Sequence, residues 1–309
     1  MKKVTILIPC HNEEQSLPIT YDRIAAMAAS QPQYEWEFLL VNDGSTDGTL
    51  SQMRQLRQRD TRVCYIDLSR NFGKERAMLA GFDHASGDCM VILDADLQDP
   101  PEVVPQMLQY WEKGYDDVYA RRTTRGKESW LRKKLSVTYY RLLQRMSQAD
   151  VLQNVGDFRL LDRRCIEALK TLREQERYTK GLFAWIGYRK CEITFERGDR
   201  VAGQSNFGLM KLLKLGVDGI TSFSTAPLRI STVLGLVVSL ATFFYMCYFL
   251  VKTWVLGDPV QGFPTLIVVM LFLGGVQLLS LGIIGEYLGR IFNETKHRPV
   301  YLIREKEGV

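Results

Sequence analysis

Short apolar runs that end in polar clusters recur along the first third of the chain, each followed by a stretch with helical spacing. Val4 to Pro9 is such a run, ending in Cys10-His11-Asn12-Glu13-Glu14, with a helix expected from about Leu17 to Ala29. Phe38 to Val41 runs into Asn42-Asp43-Gly44-Ser45-Thr46-Asp47-Gly48 and a helix to about Gln58. Val63 to Leu68 leads through Asn71-Phe72-Gly73-Lys74 into a helix reaching Ala85. The fourth run, Met90 to Leu93, ends in Asp94-Ala95-Asp96-Leu97-Gln98-Asp99 before Pro100-Pro101 opens a helix. Continuous short apolar runs read as buried strands, and their alternation with helices predicts a parallel α/β sheet. Ligands of such sheets bind beyond the carboxyl ends of the strands. Pro9 to Glu13, Asp43, Lys74 and Asp94 to Gln98 are therefore expected to converge on one crevice.

The pattern then changes. Asp117 to Ala120 and Arg189 to Glu196 read as further strands, with a helix over Arg163 to Leu172. Ser129 to Gln148 has helical character and is strongly basic, with Arg132 and Ser136 one turn apart on one face. From Phe207 to Phe223 apolar residues recur near helical spacing, as in amphipathic helices lying on a membrane surface. Beyond them, Ile230 to Val251 and Pro259 to Gly285 contain no Asp, Glu, Lys or Arg. Each exceeds the roughly 20 residues that cross a bilayer as a helix, which predicts two transmembrane helices. Arg229 precedes the pair, and Arg290, Lys296, Arg298, Arg304 and Lys306 follow it, whereas the loop between carries only Lys252 against Asp258. By the positive-inside rule both termini are expected in the cytosol and the loop outside. The run after Lys2-Lys3 is broken by His11, Asn12 and Glu13, so no signal peptide is expected.

Composition adds limits. The chain has 309 residues, 46% of them hydrophobic, enough for a real core. Six cysteines (Cys10, Cys64, Cys89, Cys165, Cys191 and Cys247) show no CxxC spacing and suit a reduced compartment. No GxGxxG or Walker lysine loop occurs, which argues against a dinucleotide dehydrogenase or a P-loop ATPase. The basic segment near predicted membrane spans favours anionic lipid over nucleic acid.

The candidate chemistry lies at the end of the fourth strand. Asp94, Asp96 and Gln98 alternate, so on an extended segment they point the same way and can share a hard divalent cation, Mg²⁺ or Mn²⁺, which in turn can hold a diphosphate. An Asp-x-Asp pair in isolation more often caps a helix or faces solvent; the buried strand before it and the double proline after it favour a metal site.

In these motifs the sequence resembles the family 2 glycosyltransferases of GT-A fold that load a sugar onto a polyprenyl phosphate. Ile8-Pro9-Cys10-His11-Asn12-Glu13-Glu14, Val41-Asn42-Asp43-Gly44-Ser45-Thr46-Asp47, Asn71-Phe72-Gly73-Lys74 and Asp94-Ala95-Asp96-Leu97-Gln98-Asp99-Pro100-Pro101-Glu102 match in order. Asp218 to Ser224, Pro227-Leu228-Arg229 and Gly285-Glu286-Tyr287-Leu288-Gly289-Arg290 resemble the bactoprenol glucosyltransferase branch. The resemblance implies an α/β, Rossmann-like GT-A domain over residues 1–205 that binds a nucleotide sugar, juxtamembrane amphipathic helices over 206–228, two transmembrane helices within 229–288 (about 230–251 and 263–285) and a cytosolic tail over 289–309. It also implies roles. Pro9, His11, Glu13, Asp43 and Ala95 would contact the nucleotide, with Arg200 on a loop closing over it. Asp94, Asp96 and Gln98 would hold the metal, and Arg121, Arg132 and Ser136 would grip the acceptor phosphate. Asn206 and His11 depart from the residues common there, a lysine and an aromatic.

The implied reaction is inverting transfer of a hexose, glucose from UDP-glucose first, to undecaprenyl phosphate at the cytosolic face of the inner membrane. GDP-mannose is the alternative donor, and a non-catalytic membrane scaffold is the reading from another class. The acceptor is a phosphate monoester with a second pKa of about 6, largely ionised near neutral pH, so no strong general base is needed. Gly285 and Gly289 form a small-xxx-small pair that permits a homo-oligomer.

Overall fold

The computed structural model describes residues 1–122, 155–175, 177–195, 226–256 and 262–309. Contacts divide the chain into two compact units, one of residues 1–216 with 298–309 and one of residues 217–297.

The first unit is built on a sheet of eight strands: β1 (Lys2–Cys10), β2 (Tyr34–Asn42), β3 (Val63–Leu68), β4 (Cys89–Ile92), β5 (Asp117–Arg122), β6 (Val155–Asp162), β7 (Lys190–Phe195) and β8 (Ile303–Glu307). Their order across the sheet is β7-β5-β6-β4-β1-β2-β3-β8. The expected alternation holds: α1 (Ser16–Ala29), α2 (Thr49–Arg59) and α3 (Lys74–His84) connect the first four strands, and α4 (Val104–Glu112) follows a short 3₁₀ turn at Pro101–Val103. Ile6, Leu7, Leu39, Leu40, Val91 and Ile92 are all completely buried, so the central strands are covered on both faces, as parallel strands require. α3 lies close on β1: a Cβ on Gly81 would fall 2.2 Å from the Leu7 side chain. α5 (Arg163–Thr171) begins directly after β6 because Asp162 caps it, accepting a bond from the Arg164 amide at 3.0 Å. α6 (Thr179–Trp185) precedes β7.

Two features depart from the expected parallel sheet. β1 pairs in parallel with β2 and β4, and β2 with β3, but β6 enters antiparallel between β4 and β5. At the other edge β8 runs antiparallel to β3. Residues 298–309, expected as part of a tail, thus belong to the sheet unit. β8 reads Ile-Arg-Glu-Lys-Glu, a charged edge strand with no apolar signal to find it by. Its charges are used: Arg54 holds Glu305 at 2.5 Å and Arg57 lies 3.6 Å from Glu307.

The second unit contains two long helices that pack on each other, α7 (Ala226–Leu256) and α8 (Phe263–Thr295). Both outrun the expected spans, α8 continuing through Glu286 and Arg290, which pair at 3.1 Å one turn apart. Among the described residues one stretch, Phe272–Thr295, is long and apolar enough to cross a membrane, and Ser231–Tyr245 is a shorter apolar segment. Phe244 is 67% and Leu278 72% exposed, so these faces find no cover among the described residues.

Candidate active site

Strand register brings the site together. Cys10, Asn42 and Asp67 lie side by side at the ends of β1, β2 and β3. Leu7 is opposite Ile92, so Asp94, two residues on, is level with Pro9. Ile92 is also opposite Arg159 of antiparallel β6, so two steps on along β4 meet two steps back along β6, and Asp94 comes level with Asp157. The carboxyl ends of β1 to β5 and the start of β6 therefore face one crevice.

On one side, the two loops after β1 and β2 lock each other. Asp43 is 3% exposed; its two carboxylate oxygens accept the amides of Phe72 at 2.7 Å and Gly73 at 2.9 Å. Asn12, at φ 58°, donates its amide to Ser45 Oγ at 2.9 Å and accepts the Thr46 amide on its side chain at 2.8 Å. His11 is exposed, with Nδ1 2.9 Å from the Asp43 carbonyl and Nε2 3.1 Å from the Asn71 amide group. Glu13 donates its backbone amide to Thr49 Oγ1 at 2.8 Å, and its carboxylate accepts the Ser16 hydroxyl. Gly44 sits at φ +58°, where a Cβ would stand 2.3 Å from the backbone of Arg70; glycine is what lets this turn lie against the loop after β3.

On the other side lie the acids. Lys74, first residue of α3, places its ammonium 2.6 Å from both Asp94 and Asp157. Burial opposes that charge, but the two carboxylates outweigh it and hold the ammonium well above its ordinary pKa. Burial by itself would raise Asp157; Lys74 foremost, with Lys180 and Arg159, brings it down to about 2. Asp99 goes the other way. Burial first, then the Asp94 carboxylate, push it up to about 6 against the pull of Arg122, 3.6 Å away. The Asp96 carboxylate accepts the Gln98 amide at 3.1 Å, and the Ala95 carbonyl accepts the Thr20 hydroxyl at 2.7 Å. Leu97, at φ 56°, turns the chain between Asp96 and Gln98, so β4 stops at Ile92 and the Asp94–Gln98 segment is a turn rather than the extended stretch expected.

Among the described residues no group of three or more His, Cys, Asp or Glu side chains is arranged to hold a metal ion. The acids around the loop after β4 still offer oxygens to a hard cation. Asp99 Oδ1 and Asp157 Oδ1 are buried without a hydrogen bond, and an ammonium already bridges two of the carboxylates. Oxygen-rich, cation-seeking surroundings of this kind suit Mg²⁺ or Mn²⁺.

Of the expected site residues, Pro9, His11, Glu13, Asp94, Asp96 and Gln98 lie accessible along this crevice edge, whereas Asp43 and Ala95, expected against the nucleotide, are buried, Asp43 because both its carboxylate oxygens are taken by the Phe72 and Gly73 amides. Arg121, the next-to-last residue of β5, pairs instead with Glu192 of β7 at 3.2 Å. Its neighbour Arg122, on the other face of the strand, is the one aimed at the acidic loop. Arg132, Ser136 and Arg200 lie outside the described residues, as do the basic helix and most of the juxtamembrane segment. Asp157 escapes sequence reasoning because Asn154-Val155-Gly156-Asp157 carries no motif; only the antiparallel register of β6 delivers it to the site.

The glycosyl transferase family 2 model matches residues 5–170, and the GtrB C-terminal hairpin model matches residues 226–291. The chain belongs to glycosyl transferase family 2. It is an enzyme of mixed α/β fold. A bactoprenol glucosyl transferase of Shigella phage SfV is 43% identical over 99% of both chains. The SfII prophage-derived bactoprenol glucosyl transferase of Shigella flexneri is also 43% identical, over 98% of both chains. Among solved structures, a glucosyl-3-phosphoglycerate synthase from Mycobacterium tuberculosis in complex with Mn²⁺, UDP-glucose and phosphoglyceric acid is 20% identical, with a TM-score of 0.49 over 72% of this chain and 79% of that one.

Proposed function

We propose that this glycosyltransferase moves glucose from UDP-glucose to a polyprenyl phosphate, with inversion, at the cytosolic face of a membrane. The observation that carries the reading is the full-length likeness, hairpin included, to bactoprenol glucosyl transferases. The crevice is consistent with it. Asp43 braces the loop beside which a base and ribose would lie, with Pro9, His11 and Glu13 along its wall. Asp94, Asp96 and Gln98 would hold Mg²⁺ or Mn²⁺. Such an ion, when bound, supplies Lewis-acid stabilisation of the charge that develops on the departing diphosphate.

The chain's own groups do the rest. Lys74 keeps Asp157 ionised and offsets the repulsion between its carboxylate and that of Asp94. Arg122 offers a guanidinium beside Asp99, and Arg121, with Arg132 and Ser136, is assigned to the acceptor phosphate. Two anions must approach for the attack, and permanently charged bidentate donors offset their repulsion. Arg200 is assigned to a loop closing over the donor.

We assign α7 and α8 to the membrane as a two-span hairpin with both chain ends cytosolic, because a long prenyl tail has no place in an aqueous cleft. Exposed apolar faces on both helices and basic flanking residues support this placement. Residues 1–205 are assigned to catalysis and 206–228 to the membrane surface, and the Gly285/Gly289 pair to contacts in a homo-oligomer.

Competition binding tests the donor. UDP should bind in the presence of Mg²⁺ or Mn²⁺, lose affinity on chelation, and be displaced by UDP-glucose but not by GDP-mannose. Preferential displacement by GDP-mannose would overturn the choice of sugar nucleotide.

A further inference from the structure

One buried carboxylate near the crevice has no part in the chemistry above. Asp67, the fifth residue of β3, is fully buried. Its Oδ1 accepts the side-chain amide of Asn42 at 2.7 Å. An ionised carboxylate is acceptor-only, so it dictates which way the Asn42 amide faces. With Nδ2 on Asp67, the Asn42 oxygen is left for Ser45, accepting its amide at 3.2 Å and its hydroxyl at 2.5 Å. Ser45 Oγ then receives the Asn12 amide at 2.9 Å. A chain of directed hydrogen bonds thus runs from Asp67 to the loops that flank Asp43 and His11.

The other oxygen of Asp67 has no hydrogen bond. What faces it is Arg304 of β8, Nη1 at 3.5 Å from Asp67 Oδ2, with the arginine side chain 58% exposed. The same guanidinium donates to the Ser69 carbonyl at 2.7 Å, and Ser69 in turn donates its amide to the Leu302 carbonyl at 2.9 Å. Ser69 opens the loop whose Phe72 and Gly73 amides hold Asp43. A buried carboxylate is costly unless a cation offsets it. The cation here comes from a strand that follows both hairpin helices in the sequence.

We infer that Arg304 is a positioning residue for the nucleotide site: by neutralising Asp67 and tying Ser69, it orients Asn42 and so fixes the Asn12/Ser45 and Asp43 loops for the donor. The inference rests on the donor reading above. It makes the segment after the hairpin part of the donor site's support, although Arg304 acts only through other residues.

The test compares full-length Arg304→Ala, Arg304→Lys and Arg54→Ala with the unaltered protein, reading UDP affinity in Mg²⁺ and amide hydrogen exchange over residues 42–48. Arg304→Ala should weaken UDP binding about tenfold, the scale of a lost charged hydrogen-bond partner, and speed exchange at Ser45 and Thr46. Donor KM should rise while kcat at saturating donor stays within about twofold. Arg304→Lys should recover most of the affinity. Arg54→Ala loosens the same strand at Glu305 and should leave UDP binding unchanged, which separates positioning from general loosening. Should Arg304→Ala fail to fold, Asp67→Asn, which lets the Asn42 amide flip, should produce the same shift. Unchanged affinity and exchange in Arg304→Ala, or in Asp67→Asn in its place, would overturn the inference. If the unaltered protein binds no UDP, the donor reading fails, and the exchange comparison still decides what Arg304 does to the loops.

Discussion

Lys74→Met removes one ammonium and leaves its volume nearly intact, so it isolates the charge at the centre of the acidic cluster. The ammonium stands 2.6 Å from both Asp94 and Asp157. Asp157, with only 12% of its side chain exposed, is brought from 3.8 to about 2, which at about 1.36 kcal/mol per unit amounts to about 2 kcal/mol. Asp94 is 32% exposed, so solvent screens its half of the bridge and it adds little. A carboxyl with a depressed folded-state pKa stabilises the protein above its unfolded value of about 3.9, and that contribution fades as pH falls towards about 2. Lys74→Met, which removes the largest of the three cations acting on Asp157, should therefore cost on the order of 1–2 kcal/mol at pH 7, and the gap to the unaltered protein should narrow below about pH 4. Urea unfolding followed by tryptophan fluorescence reads this in the sheet unit, where Trp36 and Trp111 are buried. With the ammonium gone, added Mg²⁺ should stabilise the variant more than the unaltered protein, since ligand binding to the folded state raises stability by mass action. Equal stability at pH 7, with the same response to Mg²⁺, would refute the argument.

Three further outcomes follow from the same geometry. Gly44→Ala forces a left-handed conformation on an L-residue and drives a Cβ into the Arg70 backbone, 2.3 Å away. It should cost roughly 1–3 kcal/mol and weaken UDP binding, both measurable on the purified variant. Asp96→Ala should abolish metal-dependent transfer while the circular dichroism spectrum stays unchanged; normal turnover would remove Asp96 from the metal site. Arg132→Ala should raise the KM for polyprenyl phosphate more than the KM for the donor, as steady-state kinetics with each substrate varied would reveal.

The central strands are legible in the sequence because both their faces are covered. The expected run Val63 to Leu68 coincides with β3, and the Val4, Phe38 and Met90 runs differ from the strands only at their ends. β2 begins earlier, at Tyr34, since Glu37 interrupts its apolar run; the structure buries that carboxylate by bonding it to Thr5 at 2.6 Å and to the Ser86 amide at 3.0 Å. Such compensation is long-range and leaves no local mark. The metal loop is legible for a related reason, since Asp-x-Asp after a buried strand is a local pattern. Asp157 and Arg122 are not, because their roles depend on the register of an antiparallel strand and on which face of β5 each arginine takes. β8 escapes notice because its signal is charge, and its partners Arg54, Arg57 and Tyr65 lie far away in the sequence, on the other side of both long helices.

Transfer of glucose from a nucleotide to a lipid phosphate is the reaction proposed for this enzyme. Its most direct test is to incubate the purified protein in detergent with UDP-glucose, undecaprenyl phosphate and Mg²⁺ and to identify the lipid product by mass spectrometry. The expected product is undecaprenyl phosphate carrying one hexose through a phosphodiester, formed with Mg²⁺ or Mn²⁺ and lost on chelation. Folded protein that yields no glycolipid from UDP-glucose, or yields it only from GDP-mannose, would contradict it.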